Sequence, residues 1–341
     1  MLIATRDFFV RHLKKGTFLW KSLEFLQGML FVKNYLFYYK WNLIKNSTTT
    51  KEVNIEFVSY CNLRCSFCSL DHEKPKTRMT STILENLMNN LVNDERFKKV
   101  EVIHLHSGGE TLLHPEIGAL LAIIKKYKDL AKNKNQRFPT VNLLTNGTAL
   151  FENKTKEIIE SDAIDVMRFS MDGGSPERFE TMRIRAKWDV FYKNISYFCE
   201  ENKKRNTNIK THIISVIDPI NPLKTKWMNK EFVEVLNMVD TYELRHPHTW
   251  AGEVDIEGES SNSKNKPHKI GCGLLMHQLV LLPNGDVNVC CTDLNSKGVV
   301  GNIQNQSLFD IYNSPTRKKW LKLFYQRKKN EIDLCKNCET F

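Results

Sequence analysis

At 341 residues, with 41% hydrophobic and 26% charged side chains, the chain has an ordinary globular composition and enough length for one large core plus an accessory piece. Its formal net charge of +11 is unevenly spread: residues 1–50 hold eight Lys and Arg against two Asp and Glu, and no arginine-rich or aromatic-interleaved stretch elsewhere suggests a nucleic-acid module. Eight of the nine cysteines fall in two clusters, and clustered cysteines without an export signal point to metal binding in a reducing cytosol rather than to disulfides.

Residues 5–45 interleave basic side chains with aromatic and aliphatic ones at spacings of three and four, which predicts one or two amphipathic helices broken near Gly16 and Gly28. The longest uncharged run there, residues 25–32, is far shorter than the roughly 20 apolar residues a bilayer span needs. Such a segment either lies in a membrane interface as a peripheral contact or packs across the mouth or base of the following domain. Residues 46–50 read as a polar linker.

From residue 51 to about 250 the pattern alternates. Strands are predicted at 53–59, 100–107, 140–146, 165–172, 209–217 and 242–247, with helices at 80–94, 115–131, 152–161, 188–204 and 229–239. Six strands separated by helices predict a parallel α/β architecture, and six rather than eight units predict a partial, open (β/α)6 TIM-like barrel.

Directly after the first strand stand Cys61, Cys65 and Cys68, three thiols four and three residues apart. A structural zinc wants four ligands, so three suggest an iron–sulfur cluster with one open corner; an incomplete zinc knuckle or three incidental thiols are the alternatives. The second strand ends in Gly108, Gly109 and Glu110: glycines admit a close ligand and the carboxylate can receive an ammonium. His104 and His106 share one face of that strand and are assigned to local hydrogen bonds. Asn146 sits in the turn after the third strand, and Ser170 and Arg183 in and after the fourth, where a guanidinium can hold a carboxylate. Cys199, alone in a helix, reads as a buried structural thiol. Residues 245–253 are either a substrate wall or a crossover, and 257–269 a loop or hinge.

In the tail an apolar run at 279–282, the turn Pro283-Asn284-Gly285-Asp286 and alternating valines predict a hairpin that brings Cys272 and Cys290 together. Cys335-x-x-Cys338 closes a second group of cysteines at ligand-like spacing, with Cys291 beside Cys290; an iron–sulfur cluster and a thiolate zinc site are both open to it.

The run Cys61-x3-Cys65-x2-Cys68, with Phe67 before the third cysteine, resembles the signature of the radical S-adenosylmethionine (SAM) enzymes. Gly108-Gly109-Glu110 looks like that family's GGE motif, although Thr111 stands where proline is usual. Thr145-Asn146-Gly147 is similar to its strand-three turn and residues 170–183 to its S-x-D-G…R segment, with Ile184 in place of a frequent glycine. Residues 272–341 resemble the SPASM or twitch auxiliary domain. The resemblance covers residues 53–341 and implies a [4Fe–4S] cluster on Cys61, Cys65 and Cys68, and SAM contacted by Phe67, Gly108, Gly109, Glu110, Asn146, Ser170 and Arg183. It also implies a second [4Fe–4S] cluster on Cys272, Cys290, Cys335 and Cys338.

Domains are accordingly expected at 1–50 (basic amphipathic helical extension), 51–250 (radical SAM partial barrel) and 251–341 (a small hairpin and helix domain for the auxiliary cluster). The implied activity is reductive cleavage of SAM to a 5′-deoxyadenosyl radical and hydrogen abstraction from a substrate, giving an oxidation or an epimerisation; no single catalytic side chain is singled out. A carbohydrate or other small molecule, lipid-linked in one version, is the first substrate reading and a peptide or protein the second. A non-catalytic iron–sulfur or zinc protein is the reading from another class. A flavodoxin or ferredoxin is the expected reductant and the cytoplasm the expected location, with peripheral membrane contact through residues 1–50 as its variant.

Overall fold

The computed structural model describes residues 48–217, 228–245, 248–254 and 271–338, with scattered positions between 18 and 41. The loop expected at 257–269, the last part of the sixth strand and much of the N-terminal segment lie outside the described residues.

Strands β1 (Glu52–Ile55), β3 (Val102–Leu105), β4 (Thr140–Thr145), β5 (Val166–Ser170), β7 (Lys210–Ser215) and β8 (Thr241–Leu244) run parallel in that spatial order. Helices α1 (Ser81–Asn93), α2 (Ile117–Asn133), α3 (Glu152–Ser161), α4 (Pro176–Met182), α5 (Trp188–Lys204) and α6 (Lys230–Met238) make the crossovers. The result is the expected open α/β barrel.

Each strand alternates. Ile103 and Leu105, Val141 and Leu143, and Met167 and Phe169 are fully buried, and the residues between them are partly exposed on the inner face. The helices supply the other half of this core. In α1, Leu84, Leu87, Met88 and Leu91 recur at helical spacing and are buried, each contributing about 1.5–3 kcal/mol. Thr80 caps that helix by accepting a hydrogen bond from the Ile83 N–H.

The predicted hairpin is present as β9 (Gln278–Leu281) and β10 (Asp286–Asn288), turning at Gly285 with φ +86°. It does not stand apart from the barrel. β9 pairs in parallel with β1, Glu52 opposite Gln278 and Ile55 opposite Leu281, and β11 (Val299–Asn302) continues the sheet to nine strands. Leu279, Val280 and Leu281 are all buried, so this strand needs cover on both faces and finds it inside a sheet rather than at an edge.

The linker expected at 46–50 is polar but not loose where it is described. Thr48, Thr49 and Thr50 are buried, and Thr49 Oγ1 donates to the Met276 carbonyl at 2.9 Å while its N–H donates to Tyr312 Oη at 3.1 Å. Helices α7 (Gly273–His277), α8 (Leu308–Tyr312) and α9 (Pro315–Tyr325) complete the tail. Arg317, fully buried, ties α9 to α7 by donating Nη2 to the Leu275 carbonyl at 2.6 Å and Nη1 to the Tyr312 carbonyl at 2.9 Å.

The described positions between 18 and 41 are helical. Phe18, Leu19, Phe25, Leu26, Met29 and Leu30 expose more than half of their surface, and Tyr39 stacks on Tyr325 of α9 with ring centroids 4.5 Å apart. Among the described residues no helix is long and apolar enough to cross a membrane.

Candidate active site

The loop leaving β1 carries the three thiols, all free and half-buried. Cys65 lies in β2 (Arg64–Cys65), whose only two residues pair antiparallel with β6 (Arg183–Ile184), Cys65 opposite Arg183. That short ladder delivers the guanidinium to the thiols: Arg183 Nη1 approaches Cys65 Sγ at 3.9 Å and its Cζ stands 5.8 Å from the Phe67 ring centroid. On the other side Asn146 Nδ2 donates to Asn62 Oδ1 at 3.0 Å and approaches Cys61 Sγ at 3.8 Å.

Burial pushes the Cys61 thiol up to about 12, with the nearby Glu110 carboxylate adding to the shift. Burial also raises Cys65 and Cys68, partly offset at both by Arg183. Thiols so placed become thiolates when a cationic metal group takes them as ligands.

Gly109 is required by the chain itself. A Cβ there would fall 1.8 Å from the Val58 carbonyl oxygen, and the next N–H, of Glu110, donates to the Tyr60 carbonyl at 3.0 Å. The second strand's turn is thereby pressed onto the cysteine loop. Gly108 donates its N–H to the buried Glu56 carboxylate at 2.7 Å.

Glu110 is buried and accepts from Leu112 N–H at 3.1 Å, Thr145 Oγ1 at 2.7 Å and Asn146 N–H at 2.8 Å. Desolvation still raises its pKa against these bonds. A carboxylate has about four lone-pair sites, so it keeps capacity for one more donor, and a cationic donor would relieve the desolvation.

Arg183 makes a 2.5 Å ion pair with Asp172, which in turn accepts from Val216 N–H at 2.6 Å. Burial opposes the guanidinium charge, and Asp172 with Cys65 outweighs it, so Arg183 is raised. Its Nε is buried without a hydrogen-bond partner among the described residues. Ser170 closes β5 two residues before Asp172 on the same face. Three convergent thiols, a carboxylate with spare capacity and a guanidinium with a free buried donor fit a cluster together with the amino and carboxylate groups of SAM.

The four tail thiols also converge. Cys272 caps α7, Cys290 follows β10, and with Cys335 and Cys338 they line one cavity closed by Leu275, Trp320, Phe324 and Leu334. Cys291 does not line it; its N–H donates to Gln278 Oε1 at 3.0 Å. Among the described residues no three His, Cys, Asp or Glu side chains gather tightly enough to hold a single metal ion; the tail thiols surround a cavity instead. Cys199 lies half-buried in α5 against the core, apart from both sets.

Sequence reasoning missed three neighbours of these sites. Asp172 stood inside the quoted S-x-D-G segment and its charge opposite Arg183 was the available signal. Asn62 gave none. Trp250 donates its indole N–H to the Phe67 carbonyl at 2.6 Å, Ala251 lines the tail cavity, and a Cβ on Gly252 would lie 2.2 Å from the Asn337 carbonyl. Residues 250–252 thus touch both thiol sites.

Two family models match the chain, one described as the radical SAM superfamily over residues 55–222 and one described as an iron–sulfur cluster-binding domain, SPASM, over residues 272–339. A tungsten-containing aldehyde ferredoxin oxidoreductase cofactor-modifying protein of Pyrococcus furiosus is 28% identical over 123 residues, 36% of this chain and 31% of that protein. A GTP 3′,8-cyclase of Chlorobaculum tepidum is 26% identical over 145 residues, 42% of this chain and 40% of that protein. The matches therefore span less than half the length of these curated relatives.

Among solved structures, Streptococcus suis SuiB bound to precursor peptide SuiA gives a TM-score of 0.62 at 15% identity, covering 90% of this chain and 74% of that one. BtrN in complex with AdoMet and 2-DOIA gives 0.55 at 18%, covering 86% and 94%. These likenesses show the fold. The chain belongs to the radical SAM superfamily and carries a C-terminal SPASM iron–sulfur domain, and is an enzyme of SAM, a [4Fe–4S] cluster and auxiliary iron–sulfur chemistry.

Proposed function

We propose that the chain oxidises a carbohydrate or other small molecule by hydrogen abstraction, with Cys61, Cys65 and Cys68 holding the radical cluster and Cys272, Cys290, Cys335 and Cys338 the auxiliary one. When bound, cluster and SAM together would supply one-electron chemistry that removes a hydrogen atom from substrate, and the auxiliary cluster would be the acceptor for the second electron that completes the oxidation. In this reading Glu110 receives the cofactor ammonium and Arg183, held by Asp172, its carboxylate. Asn146 and Arg183 also donate toward the sulfurs, and Ser170 and Phe67 are the remaining contacts proposed for the cofactor. Gly108 and Gly109 let the second strand's turn press against the cysteine loop.

The observation that carries the small-molecule reading is the inner face of the barrel, where His104, Asn142, Arg168, His212 and Glu243 are interspersed with apolar residues such as Leu144 and Ile214 instead of the wholly apolar filling of a closed core. Oxidation is favoured over epimerisation because quenching a carbon radical calls for a hydrogen donor such as a free thiol. The thiols outside the two sets are Cys199 on an outer helix and Cys291 beside Gln278, at the end of β9 away from the cysteine loop.

The exposed apolar positions of the N-terminal segment support a lipid-linked substrate and peripheral membrane contact. That part fails if deleting residues 1–45 leaves liposome binding unchanged. A flavodoxin or ferredoxin is the proposed reductant. The substrate class is tested by giving reconstituted enzyme deuterated sugars or sugar phosphates and, in parallel, deuterated peptides. Deuterium entering 5′-deoxyadenosine from the sugars supports the reading; transfer from peptides alone replaces it with a peptide maturase.

A further inference from the structure

The inner face of the barrel presents His104 from β3 and His106 just beyond it, Asn142 from β4, Arg168 from β5, His212 from β7 and Glu243 from β8. Register stacks them toward the cofactor end. Arg168 is level with His212, Glu243 is level with Ile214 and Ser170 one step higher, and Arg245, whose N–H donates to the Ser215 carbonyl, is two residues further on.

One carboxylate oxygen serves this whole group. Glu243 Oε1 lies 3.7 Å from Arg168 Nη2 and 3.8 Å from His212 Nε2, and pairs with Arg245 Nη2 as well. Burial opposes the Glu243 charge, but His212, Arg245 and Arg168 outweigh it and hold the carboxyl at about 2. Burial lowers the Arg168 pKa and Arg245 lowers it further, a mark of two guanidiniums crowded together. Among the described residues no other carboxylate pairs with either.

Burial lowers the pKa of His104 to about 4 and that of His106 well below its ordinary value. Two guanidiniums, Arg168 and Arg245, thus share the single Glu243 carboxylate. His106 Nδ1 and Asn142 Oδ1 are also buried without hydrogen-bond partners among the described residues, an uncommon state for a polar atom. A surplus guanidinium matches a phosphate or carboxylate in geometry and charge, and the unsatisfied nitrogen and oxygen match hydroxyl groups.

We propose that the lumen between His106, Arg168 and Arg245 is the substrate site, and that it takes a polyhydroxylated molecule bearing one anionic group, a sugar phosphate or a sugar acid. This rests on the small-molecule reading above. Arg168 stands four residues before Asp172 along the chain while Arg245 is level with the residues beside Asp172, so an anionic group held between the two guanidiniums binds within the barrel next to the cofactor end.

The test is calorimetric titration of the reconstituted enzyme with SAM present, using glucose 1-phosphate, glucuronic acid, glucose, inorganic phosphate and the peptide Gly-Asp-Gly, on wild type, Arg168→Gln, Arg168→Lys and Arg245→Gln. Iron content and melting temperature serve as folding controls. Expected is at least tenfold tighter binding of glucose 1-phosphate or glucuronic acid than of glucose. Arg168→Gln and Arg245→Gln should each lose tenfold or more, with Arg168→Lys falling between. Which of the two anions binds more tightly distinguishes the sugar phosphate from the sugar acid. Equal binding of glucose, binding unchanged in folded Arg168→Gln, or no binding by any probe overturns the proposal. Arginine-dependent binding of Gly-Asp-Gly and phosphate without sugar preference leaves an anion site standing and overturns the sugar.

Discussion

The two thiol sites of this chain are built differently. Around Cys61, Cys65 and Cys68 the neighbours are polar and charged: Asn146 and Arg183 point donors at the sulfurs, and Glu110 and Asp172 stand just behind. Around Cys272, Cys290, Cys335 and Cys338 the wall is mainly Leu275, Trp320, Phe324 and Leu334, with two polar exceptions: Thr292, 3.0 Å from Cys290 Sγ, and Lys329, whose Nζ donates to the Cys338 carbonyl. Hydrogen bonds to sulfur and exclusion of water are the levers by which a protein sets the properties of an iron–sulfur centre. On the proposed reading, the first site would meet a polar cofactor and the second would shield a redox group from water.

The sharpest way to break the comparison is to remove one thiol from each site. Cys65→Ala should lose about four irons per chain and all SAM cleavage, whereas Cys335→Ala should lose about four irons and keep cleavage, read by iron analysis and product chromatography. Zinc instead of iron at the tail would overturn its assignment. Next in size is Asp172→Ala, which strands the Arg183 charge and should cost about 3–5 kcal/mol, measured by urea unfolding of the apo protein. No measurable loss would mean that the pair is not held as described.

A pH effect sharpens the polar side. His104 is depressed to about 4 by burial, so the unfolded chain takes up its proton before the folded one does. Stability is fully present above about 6.5 and is lost as pH falls toward 4. His104→Gln should flatten that slope in unfolding measured across the window; an identical slope would remove His104 as its source. The smallest effect is at the link between the sites: Trp250→Phe removes the indole hydrogen bond to the Phe67 carbonyl and should cost about 1 kcal/mol, seen as a shift in the urea midpoint.

What was legible in the sequence was what is local. Helices α3 and α5 occupy the residues their periodicity predicted, and the strands fall within a few residues of expectation. Both cysteine sets were readable as spacing. The pairing of β9 with β1 was not, because it joins segments more than 200 residues apart and no local pattern names a strand's partner. The meeting of Cys65 with Arg183 depends on two strands of two residues each, too short for any periodicity. Thr48, Thr49 and Thr50 read as linker because they are polar, and are buried because Tyr312 and Met276 satisfy Thr49. His104 and His106 were seen to share a face, but only the closing of the strands into an arc makes that face an interior.

The most direct test of the central claim is 5′-deoxyadenosine formation by the anaerobically reconstituted, dithionite-reduced protein with SAM. The account predicts product with wild type and with Cys335→Ala, and none with Cys65→Ala. No product with iron-loaded wild type, or undiminished product with Cys65→Ala, would contradict it.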